Sequence, residues 1–190
     1  VLCQGGRISH LCCCTGCRQL LSERMYIMKR RITALVLVLM AVCLVFAGCS
    51  KPVKADISGY ENEKITIEGL GDETINVTAG ELKELDCIRK SVTTQSKGGE
   101  ITVEAAGPTL ETLLEQHGVS MDDVSEVTFV AADGYTKQFD SAFFTTHKDV
   151  YLSLADGDDP LQEDEQPLRI VIPGTTSDNW VKGVVEMRFR

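Results

Sequence analysis

An uncharged stretch of 16 residues, Ile32 to Ala47, divides the chain and limits the folded part to the residues after it. Three consecutive basic residues, Lys29 to Arg31, come directly before it, and the small residues Ala47 and Gly48 close it. A membrane-spanning helix needs about 20 apolar residues, which is more than this stretch offers. A basic head, a short apolar body and a small-residue exit are instead typical of a secretory signal peptide.

The exit of this segment, Phe46-Ala47-Gly48-Cys49, resembles the lipobox of bacterial lipoproteins. The resemblance predicts a signal peptide over residues 28–48, lipidation at Cys49, and a protein anchored by lipid to the extracytoplasmic face of the cell membrane. Two or more acyl chains give stable attachment, whereas one is marginal. An uncleaved membrane anchor is the alternative. Met28 directly precedes the basic head, so residues 1–27 are interpreted as a mis-extended N-terminus.

The charge of the remaining chain excludes one class of partner. Although the whole sequence has a formal charge of −9, Cys49 to Arg190 contains 13 Lys and Arg against 27 Asp and Glu, a charge of −14. Such a surface repels nucleic acid. Six of the eight cysteines precede Cys49, which leaves Cys87 without an intramolecular partner. An apolar core, rather than disulfides, must therefore stabilise the domain.

The pattern after Cys49 predicts a flexible polar tether over residues 49–63 and a folded domain over 64–190. Short runs with strand-like alternation or apolar content occur at 65–67, 75–77, 101–103, 127–130, 135–139, 150–154, 168–172 and 185–189. Thr78 to Glu81 matches a helix capping box, and Leu110, Leu113 and Leu114 have helical spacing. Many strands with few short helices predict an α+β domain with mostly β, mixed sheets.

Four motifs in this region carry a resemblance to a known family. They are Asp133-Gly134-Tyr135, Asp156-Gly157, the segment from Pro167 to Gly174, and Trp180-Val181-Lys182-Gly183. With the helix segment Gly107 to Leu114, they resemble the oxidoreductase molybdopterin-binding domain of the sulfite oxidase type. The resemblance implies that type of fold and a pyranopterin that holds molybdenum. The metal would transfer an oxygen atom to or from a small substrate.

The resemblance also implies a cysteine thiolate on the metal, because a soft, electron-rich sulfur suits a redox-active ion. By spacing, that cysteine would fall near Gln95 or Ser96, and neither residue has a sulfur. Cys87 lies several residues earlier and is the candidate catalytic and metal-binding residue. Its alternative role is that of a small apolar residue at a helix end. If the domain is degenerate, no cofactor is expected.

Four further residues are candidates for cofactor binding, each with a structural alternative. Arg169 would contact a phosphate or an oxyanion, or else pair with a carboxylate such as Asp159 or Glu163. Tyr135 would lie near the cofactor, or only complete an Asp-Gly hairpin turn. Trp180 and Lys182 would close over the ligand, although a lone Trp is usually a packing residue.

Two functions remain open from the sequence. The first is a molybdopterin-dependent oxidoreductase outside the membrane, and the second is a non-catalytic lipoprotein that uses the same fold to bind a small ligand or a partner. Expected partners are the membrane and either a small molecule or a redox protein. An acidic stretch from Asp156 to Glu165 raises a third option, cation binding, although a solvated acidic loop is favoured because the EF-hand order is missing.

Overall fold

The structure is a computed structural model that describes residues 53–190. The predicted signal peptide, Cys49 and residues 1–27 lie outside the described residues. Within residues 53–190, no helix is long and apolar enough to span a bilayer.

A five-stranded sheet forms one part of the domain. Its strands are β1 (Lys64–Glu68), β2 (Ile75–Thr78), β5 (Glu126–Ala131), β6 (Thr136–Asp140) and β11 (Val184–Phe189), in the spatial order β2-β1-β11-β5-β6. The pair β1 and β11 is parallel, and the other neighbours are antiparallel. Burial alternates along β1 and β5, so one face of the sheet covers the core.

The remaining strands of the described region form two smaller sheets. The four-stranded sheet contains β3 (Ile88–Ser96), β4 (Gly99–Gly107), β8 (Ala155–Asp156) and β9 (Asp159–Pro160), in chain order. The two-stranded sheet pairs β7 (Tyr151–Ser153) with β10 (Arg169–Val171), and both strands are buried throughout. The chain packs closely where β4 passes β7, because a Cβ at Gly107 would lie 2.0 Å from the Leu152 carbonyl oxygen.

Three short helices connect these strands within the described part of the chain. The first, α1 (Ala79–Lys83), begins with the predicted capping box, in which Thr78 and Glu81 satisfy each other's backbone N–H groups. The second, α2 (Leu110–Gln116), buries Leu110, Leu113 and Leu114, as its spacing predicts. The third, α3 (Ser141–Thr146), is capped by Asp140. This architecture confirms the prediction of an α+β domain with mostly β, mixed sheets.

The packed part of the chain begins before β1. Ala55, Ile57 and Tyr60 are buried, and the Tyr60 hydroxyl donates to the Leu154 carbonyl oxygen at 2.6 Å. The same hydroxyl accepts a bond from the Leu161 N–H at 3.0 Å. Apolar contacts and these hydrogen bonds thus hold residues for which the sequence predicts a flexible tether. Packing starts near Ala55, and the free tether is correspondingly shorter than 49–63.

Candidate functional site

The end of β3 is the position at which the resemblance implies a metal-bound thiolate. Ser96 occupies it and is half-buried. Two residues earlier, the buried Thr94 hydroxyl donates to the carbonyl oxygen of Thr175, which lies in the loop after β10. That loop also approaches His147, since a Cβ at Gly174 would lie 3.7 Å from its Nδ1. The chemistry available from β3 at this point is therefore that of hydroxyls.

Cys87 lies at the other end of the same strand. It follows α1, and its Sγ donates to the Lys83 carbonyl oxygen at 3.4 Å, with that of Leu82 at 3.8 Å. Burial raises the pKa of the Cys87 thiol to about 11. All of β3 separates Cys87 from Ser96, a path of about 30 Å at 3.3 Å per residue. The thiol is therefore protonated at neutral pH and bonded to its own helix end.

Arg169 is buried within β10, with 3% of its surface exposed. Its Nη1 donates to Glu165 Oε2 at 2.9 Å and lies 3.7 Å from Asp156 Oδ2. The partners are thus neither Asp159 nor Glu163, the two that the sequence suggests. Nε and Nη2 of Arg169 are buried and have no hydrogen-bond partner among the described residues. The guanidinium edge that would bind an oxyanion in bidentate fashion is therefore free.

Lys182 contacts the same buried carboxylate as Arg169. Its Nζ lies 2.9 Å from Glu165 Oε1 and 3.2 Å from Asp164 Oδ2. Burial lowers the pKa of Lys182, but the hydrogen bonds to and charges of Glu165 and Asp164 outweigh that effect, so the pKa is raised. The structure thus brings the two predicted cations together, around a carboxylate supplied by the chain itself.

The two aromatic candidates occupy different environments. Trp180 is 9% exposed, and its Nε1 donates to the Ile172 carbonyl oxygen at 3.0 Å, so its polar group is already satisfied. Tyr135 is 48% exposed and follows a turn in which Asp133 Oδ1 accepts its backbone N–H at 2.8 Å. Gly134 in that turn has a φ of 86°, a conformation that glycine adopts readily. Both arrangements match the structural alternatives for these residues, a packing Trp and a hairpin-turn Tyr.

Glu165 is the residue that sequence reasoning missed. It belongs to the stretch interpreted as a solvated acidic loop, and its neighbours Glu163 and Asp164 are indeed exposed, but Glu165 is buried. Its spacing of four residues from Arg169 is the one signal that could have identified the pair. Among residues 53–190, no group of three or more His, Cys, Asp and Glu side chains is arranged to hold a metal ion.

A cleft of about 410 Å³ lies apart from all these candidates. Residues of α2, of the turn Met121–Asp123 and of α3 line it together with Lys148. The lining is mixed, with carboxylates, hydroxyls and one ammonium group beside the apolar side chains of Met121 and Phe144. No sequence motif indicated this cleft, because its members come from three separate segments.

Comparison with known proteins identifies the family. The sequence model described as "oxidoreductase molybdopterin binding domain" matches residues 51–190. The chain belongs to this molybdopterin-binding family. Among solved structures, the sulfane dehydrogenase SoxCD from Paracoccus pantotrophus is similar, with a TM-score of 0.58 and 19% identity over 68% of this chain. The predicted sulfite oxidase-type fold is thereby confirmed.

The likeness to SoxCD is partial in length and low in identity. The matched part is 38% of the SoxCD chain, so this molybdopterin-binding domain corresponds to less than half of that protein. At 19% identity, the likeness concerns the fold alone. No curated protein matches the sequence.

The side chains present do not fit the metal centre that the family name implies. Ser96 offers a hydroxyl where a soft thiolate is needed, and the Cys87 thiol is protonated and turned toward α1. The phosphate of a pterin would have to displace Glu165 from Arg169 and Lys182, since that carboxylate bonds both. No oxygen-transfer step is derived for this chain.

Proposed function

We propose that this chain is a lipid-anchored, extracytoplasmic binding protein of the molybdopterin-binding family that does not transfer oxygen atoms. The anchor rests on the signal-peptide pattern and on Cys49. The loss of catalysis rests on Ser96, which stands where the resemblance implies the thiolate ligand of the metal. That single residue is the observation that carries the proposal.

The electrostatics of the domain support a non-catalytic role. A pterin with a phosphate is highly anionic, whereas the domain is acidic overall. Glu165 already neutralises Arg169 and Lys182, the two cations suited to a phosphate. A ligand that needs no such cations has an alternative place in the cleft of about 410 Å³, which is within the size range of small-molecule sites.

One observation favours a second candidate, a molybdopterin-dependent oxidoreductase. The free Nε and Nη2 of Arg169 form a buried edge that matches an oxyanion or phosphate in geometry and charge. A bound anion at this edge would be consistent with cofactor binding. The assay of metal content distinguishes the two candidates directly.

The decisive experiment measures molybdenum and pterin in the purified domain, residues 51–190. The domain is expressed in a host that makes the cofactor, beside an active family member as the loading control. We expect less than one tenth of a molybdenum per chain, because no thiolate is available to hold the metal. Stoichiometric molybdenum, under conditions that load the control, would overturn the proposal.

Two variants sharpen this measurement. Ser96→Cys restores sulfur at the expected position, so a gain of molybdenum would show that the cofactor pocket persists and lacks only its ligand. Cys87→Ser is the matched control, and we expect it to leave the metal content unchanged. Loss of molybdenum on Cys87→Ser would assign the metal to Cys87 and contradict the proposal.

The anchor is tested separately on the full chain. Metabolic labelling with a fatty acid should mark the protein and place it in the membrane fraction. Cys49→Ala should abolish both the label and the membrane association, because the acyl chains are attached to that sulfur. Full labelling of the Cys49→Ala variant would refute the anchor.

A further inference from the structure

The distance between the predicted anchor and the packed domain is short. Only residues 50–54 separate Cys49 from Ala55, the first buried residue. The Asp56 N–H bonds the Asp158 carbonyl oxygen at 3.1 Å, and Ile57 and Tyr60 are buried, so the exit point is fixed on the domain surface. At about 3.4 Å per residue, the six steps from Cys49 to Ala55 span at most about 20 Å.

That reach is smaller than the domain itself. A domain of this length has a radius of gyration of about 14 Å, which corresponds to a diameter of roughly 37 Å. With the exit point held within about 20 Å of the lipid, the side opposite Ala55 cannot touch the bilayer. Only the half of the surface that surrounds the exit point is able to do so.

Basic side chains are gathered in that half. The Lys83 ammonium donates to the Ala55 carbonyl oxygen at 2.6 Å, and Arg89 pairs with Asp158 beside the exit point. Lys54 and Lys90 are exposed and have no salt-bridge partner among residues 53–190. Two free ammonium groups thus lie beside the anchor on an otherwise acidic domain.

We infer that this face, defined by Lys54, Ala55, Lys83, Arg89 and Lys90, rests on the phosphate headgroups of the bilayer to which the chain is anchored. The inference depends on the lipid anchor of the proposed function. The short tether holds the face near the headgroups, and the two free lysines are attracted to their phosphates. The acidic remainder of the domain is repelled, which favours the same orientation.

A fluorescent label tests this orientation on the full lipidated chain in vesicles that contain phosphatidylglycerol. One label is placed at Ser91→Cys, an exposed position on β3 next to Lys90. The control label is placed at Thr136→Cys on β6, at the edge of the five-stranded sheet opposite β2. Both carry Cys87→Ser, so that each processed protein has one free thiol. A lipid with a spin label on its headgroup quenches nearby fluorophores.

We expect quenching at Ser91→Cys to exceed that at Thr136→Cys at least threefold. Adding Lys54→Gln and Lys90→Gln should reduce this ratio, because each lysine near an anionic surface contributes about fivefold to its occupancy. Equal quenching at the two positions, in protein that sediments with the vesicles, would overturn the orientation alone. Protein that stays in the supernatant would overturn the anchor and, with it, this inference.

Discussion

Replacing Glu165 by Gln removes the charge from a carboxylate that is almost fully inside the protein. The side chains of Glu165 and Arg169 are 8% and 4% exposed, and their ion pair is 2.9 Å long. In the variant, the Arg169 guanidinium stays buried with no full charge beside it except Asp156, which lies 3.7 Å away. Two of its nitrogens already have no partner among residues 53–190, so little compensation is available.

The magnitude follows from this burial. Removing one partner of a buried ion pair costs about 3–5 kcal/mol, because the other charge remains without compensation. The Gln amide still accepts a bond from Nη1, which places the expected loss near the lower end, at about 3 kcal/mol in the free energy of unfolding. Lys182 adds at most about 1 kcal/mol, since its side chain is 54% exposed.

Urea unfolding of residues 51–190, followed by circular dichroism, measures this loss. Asp164→Asn is the matched control, because its pair with Lys182 is exposed on both sides and should contribute less than about 0.5 kcal/mol. The double variant Glu165→Gln, Arg169→Met removes both buried charges and should recover most of the stability. A loss below about 1 kcal/mol for Glu165→Gln, or a double variant less stable than the single one, would refute the reasoning.

Three further changes test other parts of the structure. The rate of Cys87 alkylation should reach half its maximum near pH 11, and the Cys87 contribution to stability, fully present below pH 9, should be lost as pH rises from 9 to 11; a midpoint below pH 8 would contradict the buried thiol. Gly107→Ala should destabilise the domain by more than about 2 kcal/mol in a thermal melt, since its Cβ would meet backbone, whereas Gly98→Ala, with nothing within 4 Å, should not. Tyr60→Phe should cost about 2 kcal/mol, because two buried backbone groups lose their partner; an unchanged melting temperature would mean that this segment is not held.

Local sequence rules predict the parts of the fold in which one face is buried. Alternation identifies β1 because Ile65 and Ile67 point into the core. The capping box identifies α1 because Thr78 and Glu81 satisfy their own neighbours, with no need of distant contacts. Such signals depend on a few adjacent residues and can be read without the tertiary structure.

The failures of prediction have a common physical cause, which is that distant contacts determine burial. The sequence does not predict β3 because six of its nine residues are exposed, and all of these except Ile88 are polar or charged, so no apolar alternation appears. The sequence places Glu165 in a solvated loop because its burial depends on Arg169 and Lys182. The lipidation of Cys49 lies outside the described residues and stays a prediction.

The parallel pairing of β1 with β11 has a consequence for how the domain is assembled. These two strands lie at opposite ends of the folded segment, yet they are neighbours in the middle of the five-stranded sheet. During synthesis, β1 and β2 must wait as an isolated hairpin, which is marginally stable at best in water. The sheet forms only once residues 184–189 have emerged, so the chain stays unfolded for most of its production, and folding is slowed by the long loop that this contact closes.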